Sequence, residues 1–172
     1  PSRAATMGAF EARAKRPITV FDLDYRPEFW RSADESRHWA QAALRHATVA
    51  VGNLDEVEMA VGTREPVAAA RELLKLGPTL AIVKMGLRGV LGVSMEEMVE
   101  VPPIPIGTLC GLGAGEAFGG ALCDRLLAGA PLAETLAFAN AAGAIVASRL
   151  ACADAMPTPS EVTALIREHA RV

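Results

Sequence analysis

The sequence predicts an α/β fold with a mostly parallel sheet, because apolar segments of strand length alternate with helical patterns along its first half. Five segments have the length and apolar content of strands: residues 18–23, 48–51, 80–84, 90–93 and 98–101. Helix-forming stretches separate the first three strands, at residues 32–45, 54–60 and 66–76. Gly62 and Gly77 act as stop signals after two of these helices, and Pro66 suits a first helical turn. This alternation is typical of βαβ units, whose consecutive strands pair in parallel.

After Gly89 the pattern changes, because two short strands follow without room for a helix between them. We expect them to form an antiparallel pair at the edge of the sheet, after which three prolines, at 102, 103 and 105, prevent a central strand. Helices are predicted at residues 113–128, 131–149 and 160–169, the last with Ser160 as its N-cap.

The beginning of the chain predicts a helix that runs through Arg16 directly into the first strand. Pro1 takes the place of an initiator Met. We therefore expect either a fragment or the C-terminal half of a larger protein, folded as a single domain over residues 1–172.

Composition narrows the class of partner. The chain has 172 residues, is 51% hydrophobic and carries a formal net charge of -3 without a dense Lys/Arg run, which favours a small soluble ligand over nucleic acid or a membrane surface. Its three cysteines, Cys110, Cys123 and Cys152, have neither zinc-site nor disulfide-framework spacing. A reducing, cytoplasmic location is the expectation.

A glycine cluster at the start of the helix predicted over 113–128 is the strongest chemical signal. Small residues at Gly113, Ala114 and Gly115 let backbone N–H groups approach an anion, and a helix N-terminus attracts phosphate. Glu116 then stands in the first turn, where a carboxylate could accept a hydroxyl proton during phosphoryl transfer. The alternative is close helix packing through small residues, with Glu116 as a favourable first-turn acid. The dinucleotide-binding and Walker A patterns are both absent.

Polar residues also follow three predicted strands, where active sites of parallel sheets cluster. Asn53 and Glu56 could hold a hydrated Mg²⁺, or could form only a capping box. The segment from Asp22 to Pro27 offers two acids and Arg26 to a substrate, a metal or phosphate, unless they merely pair with each other. Asp22-x-Asp24 is also typical of haloacid dehalogenase-like phosphatases, although Arg26 stands where that motif has Thr or Val.

Two further features are candidates for a nucleotide site. Two glycines and two cations lie close together in the segment Lys84-Met85-Gly86-Leu87-Arg88-Gly89. This composition fits a turn that faces a nucleotide, and it fits a plain β-turn equally well. Asn140 is the one polar residue within residues 136–147, and its amide requires a backbone or ligand partner.

In this order along the chain, these five motifs resemble those of the ribokinase-like (PfkB) carbohydrate kinases. The resemblance implies a ribokinase-like, Rossmann-like three-layer αβα fold and ATP-dependent phosphorylation of a sugar or sugar-acid primary hydroxyl. It implies Glu116 as the base, and Gly113, Ala114 and Gly115 as the anion hole with Arg26 near phosphate. It also implies Mg²⁺ organised through water by Asn53 and Glu56. The nucleotide contacts it implies are Lys84, Gly86, Gly89 and Asn140.

The chain differs from the family pattern in three ways. Glu116 replaces an Asp, Cys110 and Met85 replace an expected Asn or Asp and an expected Arg, and the N-terminal half with its lid is missing. We therefore expect an incomplete or weakened kinase, which requires the missing half or a homo-oligomer as partner. The alternative is a non-catalytic nucleotide-binding or assembly module.

Overall fold

The computed structural model describes residues 2–170, which divide into two compact units. The first, here called the sheet unit, comprises the described residues up to Gly86 together with Leu91–Val99. The second, the helical unit, comprises Leu87–Val90 and the described residues from Glu100 onward.

A five-stranded sheet in the order β1-β2-β3-β4-β5 confirms the predicted α/β class. Its strands are β1 (Val20–Asp22), β2 (Val49–Asn53), β3 (Leu80–Lys84), β4 (Val90–Ser94) and β5 (Met98–Val101). The first three strands pair in parallel, with Asp22 opposite Val51 and Asn53 opposite Lys84. β4 and β5 are joined by a tight turn in which the N–H of Ser94 donates to the Glu97 carbonyl at 2.9 Å. So short a connection forces an antiparallel pair, and its position at the sheet edge confirms the prediction.

The helices of the sheet unit are α1 (Ser2–Arg13), α2 (Ala33–Leu44), α3 (Leu54–Val61) and α4 (Pro66–Lys75). The prediction that α1 extends through Arg16 is wrong. Ala14 and Lys15 have φ of 51° and 54°, a left-handed backbone that terminates the helix.

The core of this unit lies where α2, α3 and α4 cover the sheet. Ala50 of β2 and Val83 of β3 pack in one cluster with helical residues such as Leu44 and Leu73. Because strand side chains alternate between faces, Val51 points to the opposite face from Ala50, and its exposed fraction is also 0%. The middle of the sheet is therefore buried on both faces, which fits its parallel pairing.

The helical unit contains α5 (Ala114–Leu127), α6 (Leu132–Ala147) and α7 (Pro159–His169). Ala117, Phe118 and Leu122 of α5 are buried and lie on one face of the helix, at spacings of one, four and five residues. A Cβ on Gly143 of α6 would lie 3.1 Å from the Ala114 carbonyl oxygen, so α5 and α6 are in close contact.

The prediction of Ser160 as the N-cap of α7 is wrong, because Thr158 takes that place. Pro159 occupies the first helical turn, where its missing N–H costs nothing. Thr158 and Glu161 then form a capping box, in which Glu161 accepts from the Thr158 N–H at 2.7 Å. Among the helices of residues 2–170, none has the length and apolar content to cross a membrane.

Candidate functional site

The carboxyl ends of β1, β2 and β3 bring together what we call the strand-end cluster: Asp22, Asp24, Arg26, Asn53, Glu56 and Lys84. Parallel pairing places Asp22 and Lys84 at the same edge of the sheet, on the strands either side of β2. The Lys84 ammonium lies 3.5 Å from Asp22 Oδ2 and 3.9 Å from Glu56 Oε2. Sequence reasoning named Lys84 for nucleotide binding but missed this contact, because no local spacing relates three strands.

Asn53 and Glu56 form the capping box that the sequence left open as an alternative. Asn53 Oδ1 accepts from the N–H groups of Asp55 and Glu56 at 2.9 and 3.0 Å. Glu56 Oε2 accepts from the Asn53 N–H at 2.6 Å, while Oε1 makes no hydrogen bond to any residue of the described chain. The N–H and Oδ1 of Asn53 thus hold Glu56 in position. Oε1 of Glu56 is left without a hydrogen-bond partner within residues 2–170.

Glu56 is 8% exposed, and burial raises the pKa of its carboxyl group above the usual value. The Asn53 N–H and the Lys84 charge act in the opposite direction and lower this pKa, whereas Asp22 and Asp24 raise it further. Across residues 2–170, no three His, Cys, Asp or Glu side chains are grouped closely enough to hold a metal directly. The single free oxygen of Glu56 therefore suits a hydrated Mg²⁺ held through water.

Asp24 and Arg26 pair with each other just beyond β1. Arg26 Nε donates to Asp24 Oδ1 at 3.0 Å, as the structural alternative for this segment anticipated. The Arg26 side chain is nevertheless 54% exposed, so the pair remains open to solvent. Asp24 has a φ of 34°, a conformation that is uncommon for any residue with a side chain.

The glycine loop before α5, residues 109–113, belongs to the helical unit. Gly113 is the N-cap of α5 with a φ of 87°, and it offers no side chain to cap the helix. The backbone N–H groups of Gly113, Gly115 and Glu116 have no hydrogen-bond acceptor within residues 2–170. Ala114 N–H makes only a long contact, 3.3 Å, with the Gly111 carbonyl. The start of α5 is therefore a set of unsatisfied donors, which is the arrangement that binds an anion.

Two contacts hold the glycine loop in place. The N–H groups of Leu109 and Cys110 both donate to the Ala147 carbonyl at the end of α6, at 2.8 and 3.0 Å. Cys152 packs on the other end, since a Cβ at Gly113 would lie 2.8 Å from its Sγ. Sequence reasoning missed Cys152, because nothing local marks a residue so distant along the chain. Glu116 lies in the first turn of α5 and its side chain is exposed.

The remaining predicted residues lie in turns and on α6. Gly86 begins a short 3₁₀ helix, Gly86–Arg88, and Gly89 follows it; their φ angles are 60° and 88°. A Cβ at Gly89 would lie 2.0 Å from the Val101 carbonyl oxygen. Close packing is therefore enough to require glycine here, whether or not a nucleotide binds. Asn140 Nδ2 donates to the Pro102 carbonyl at 3.0 Å, which is the backbone partner that the sequence left open.

Comparison with known proteins identifies the family of the chain. The profile of the pfkB family carbohydrate kinases matches residues 1–159. Relatives named 5-dehydro-2-deoxygluconokinase include those of Clostridium beijerinckii, 27% identical over 98% of this chain and 52% of the relative, and Listeria monocytogenes serotype 4b, 30% identical over 98% and 53%.

Among solved structures, aminoimidazole riboside kinase from Salmonella enterica, crystallised with aminoimidazole riboside and an ATP analogue, has a TM-score of 0.85. It is 24% identical, and the match covers 96% of this chain and 58% of that protein, which shows a ribokinase-like fold. The chain spans about half the length of the curated relatives it matches. With the family profile covering nearly all of its residues, the chain belongs to the pfkB family of carbohydrate kinases.

Proposed function

We propose that this chain contributes to ATP-dependent phosphorylation of a primary hydroxyl on a sugar or sugar acid, as its relatives' name, 5-dehydro-2-deoxygluconokinase, describes for them. The observation that carries the proposal is the unsatisfied start of α5, where the N–H groups of Gly113, Gly115 and Glu116 lack acceptors in the described chain. The proposal extends to a role in inositol catabolism, which the sequence resemblance implies. Family membership replaces the phosphatase interpretation of Asp22.

In this proposal the end of the glycine loop and the start of α5 together form the anion hole. The amides around Gly113, Ala114 and Gly115 stabilise charge that develops on the transferred phosphoryl group, assisted by the dipole of α5. They do so without reorganisation, because Ala147 and Cys152 already hold the loop. Positioning and charge stabilisation are the main requirements of phosphoryl transfer.

Glu116 is the proposed general base. Its carboxylate accepts the proton of the substrate hydroxyl as that oxygen forms a bond to the γ-phosphorus of ATP. The bond from the γ-phosphorus to the bridging oxygen then breaks, and ADP leaves with the electron pair. Glu116 stands where the family has Asp, and its extra methylene shifts the carboxylate by roughly 1 Å, a misplacement that costs on the order of 100-fold in rate.

The strand-end cluster is proposed to organise the metal and phosphates. Glu56 holds Mg²⁺ through water with its free oxygen, and Asn53 fixes Glu56 through the capping box. The ion neutralises charge on the phosphates when bound. Arg26, exposed beside Asp24, is a phosphate contact in this scheme.

The nucleotide contacts proposed from the family resemblance are Lys84, Gly86, Gly89 and Asn140. Lys84 is already close to two carboxylates, and Asn140 already donates to Pro102. In this scheme Lys84 contacts the nucleotide through its ammonium hydrogens, and Asn140 through the amide atoms that Pro102 does not occupy.

A non-catalytic nucleotide-binding or assembly module is the second candidate. One observation favours it: Glu116 stands in the place of the family's Asp. The two candidates differ in whether the bound nucleotide is consumed.

Calorimetric titration with Mg²⁺-ATP tests the proposal. We expect the chain to bind, and Gly113→Val and Gly115→Val, each shown to be folded by circular dichroism, to abolish binding by blocking the amides. Gly111→Ala is the matched control, because a Cβ there meets nothing within 4 Å. Absence of binding by a folded wild-type chain would overturn the proposal.

Turnover separates the two candidates. We expect Glu116→Asp to increase phosphorylation of the sugar acid when the first half of a relative is supplied, because the shorter side chain restores the family's base. Binding without turnover in either form would favour the non-catalytic module.

A further inference from the structure

We propose that Lys84 sets the charge selectivity of the strand-end cluster, keeping bare divalent cations out and favouring a polyphosphate anion. This inference rests on the proposed function for its physiological ligand, because it concerns the cluster assigned there to Mg²⁺-ATP. The charge effect itself can be tested without nucleotide. It depends on the five charged residues of the cluster: Asp22, Asp24, Arg26, Glu56 and Lys84.

The position of the ammonium is the first argument. Lys84 Nζ lies 3.5 Å from Asp22 Oδ2 and 3.9 Å from Glu56 Oε2, both beyond the roughly 2.7–2.9 Å of a charge-assisted hydrogen bond. Nor does Nζ donate a hydrogen bond to any other residue of the described chain. The ammonium thus sits between two carboxylates without being fully engaged by either, and retains donors for a ligand.

Burial strengthens the effect of this charge. The Lys84 side chain is 20% exposed and that of Glu56 is 10% exposed, so solvent screens their interaction only partly. Asp22 is 40% exposed and is therefore the more accessible of the two carboxylates.

The balance of charges is the second argument. Three carboxylates, Asp22, Asp24 and Glu56, stand against two cations, and one of these, Arg26, pairs with Asp24 at 3.0 Å. Lys84 is therefore the cation that opposes Asp22 and Glu56. Without it, these two carboxylates would present the oxygen-rich, negatively charged surface that Mg²⁺, Mn²⁺ and Ca²⁺ prefer. With it, a bare cation meets like charge, whereas a polyphosphate meets a free ammonium.

A purely structural ion pair is the competing explanation, and it predicts a different result. If Lys84 only joins the ends of three strands, its removal should loosen the cluster and weaken metal and anion binding together. Charge selectivity instead requires the two affinities to change in opposite directions. Opposite changes cannot arise from a general loss of structure.

The test uses the chain with Lys84→Met, which keeps the length of the side chain and removes its charge, and with Lys84→Arg, which keeps the charge. Calorimetric titrations use Mn²⁺ alone and, separately, inorganic tripolyphosphate without metal. For Lys84→Met we expect Mn²⁺ to bind about tenfold more tightly and tripolyphosphate about tenfold more weakly, since a full charge near the ligand is removed. Lys84→Arg should stay within about twofold of wild type for both ligands.

A double variant identifies the carboxylate that holds the metal. Adding Asp22→Asn to Lys84→Met should reverse the gain in Mn²⁺ affinity, because one of the two carboxylates that Lys84 opposed then loses its charge. Urea unfolding of each variant establishes that it is folded.

Mn²⁺ affinity that is unchanged or lower in folded Lys84→Met would overturn the inference. So would loss of both affinities in parallel. Failure of the proposed kinase function would be seen elsewhere, as absent Mg²⁺-ATP binding by wild type, and would leave the response to Mn²⁺ as it is.

Discussion

The substitution Gly113→Ala should destabilise the helical unit, for two reasons that can be measured separately. Gly113 has a φ of 87°, and a left-handed backbone costs an L-residue about 1–2 kcal/mol. The new Cβ would also lie 2.8 Å from Cys152 Sγ and 3.3 Å from Cys152 Cα. Pushing these atoms back adds about 1 kcal/mol, the lower end of the cost of overpacking. We therefore expect a total of about 2–3 kcal/mol.

Two further variants separate these contributions. Gly111→Ala, in the same loop, should change the free energy of unfolding by less than about 0.5 kcal/mol, because its Cβ meets nothing within 4 Å. In a Cys152→Ala background, Gly113→Ala should lose the part of its cost that comes from Sγ and keep the backbone strain. The difference between the two backgrounds is the coupling energy of a double-mutant cycle.

The assay must report on the helical unit, since both tryptophans, Trp30 and Trp39, lie in the sheet unit. Urea unfolding followed by far-ultraviolet circular dichroism, with hydrogen exchange of the α5 amides, meets this need. If Gly113→Ala proves as stable as Gly111→Ala, and its α5 amides exchange no faster, the reasoning about this position is wrong.

Three further predictions concern single positions. Gly89→Ala should destabilise the fold by more than about 2 kcal/mol in urea unfolding, because its Cβ would lie 2.0 Å from the Val101 carbonyl oxygen; equal stability would contradict the packing at this turn. Burial raises the Glu56 pKa, so ionisation of this one group lowers the stability of the fold as pH rises above 4.5. Glu56→Gln keeps a capping acceptor without the charge, and its melting temperature should rise relative to wild type between pH 4 and 7; an unchanged difference across this range would contradict the assignment. The Thr158 N–H, with Arg149, lowers the Glu161 pKa to about 2, so its stabilisation is present above 4.5 and lost as pH falls through about 2. Glu161→Gln should therefore melt below wild type at pH 7 and equal it near pH 2; a constant gap would contradict this.

Much of the fold follows from features that act over a few residues. Alternating strand and helix patterns predict the parallel β1-β2-β3 arrangement, and the short spacing after Gly89 predicts the edge hairpin. Local errors arose where neighbouring residues compete, as at α7, where Pro159 selects Thr158 over Ser160 as the cap. At α1 the helix ends at Arg13, three residues earlier than expected, because Ala14 and Lys15 adopt a left-handed backbone.

The candidate site also has features that the sequence predicts and contacts that it does not. The small residues of the glycine loop and the Asn53–Glu56 spacing are visible in sequence, because caps and helix starts depend on residues three or four apart. The sequence alone therefore determined the α/β class, the family resemblance and the glycine-rich start of α5. Only the tertiary structure decided that Lys84 lies between Asp22 and Glu56 and that Cys152 packs on Gly113. Both contacts join residues far apart along the chain, and their formation depends on strand register and helix packing, which no local spacing encodes.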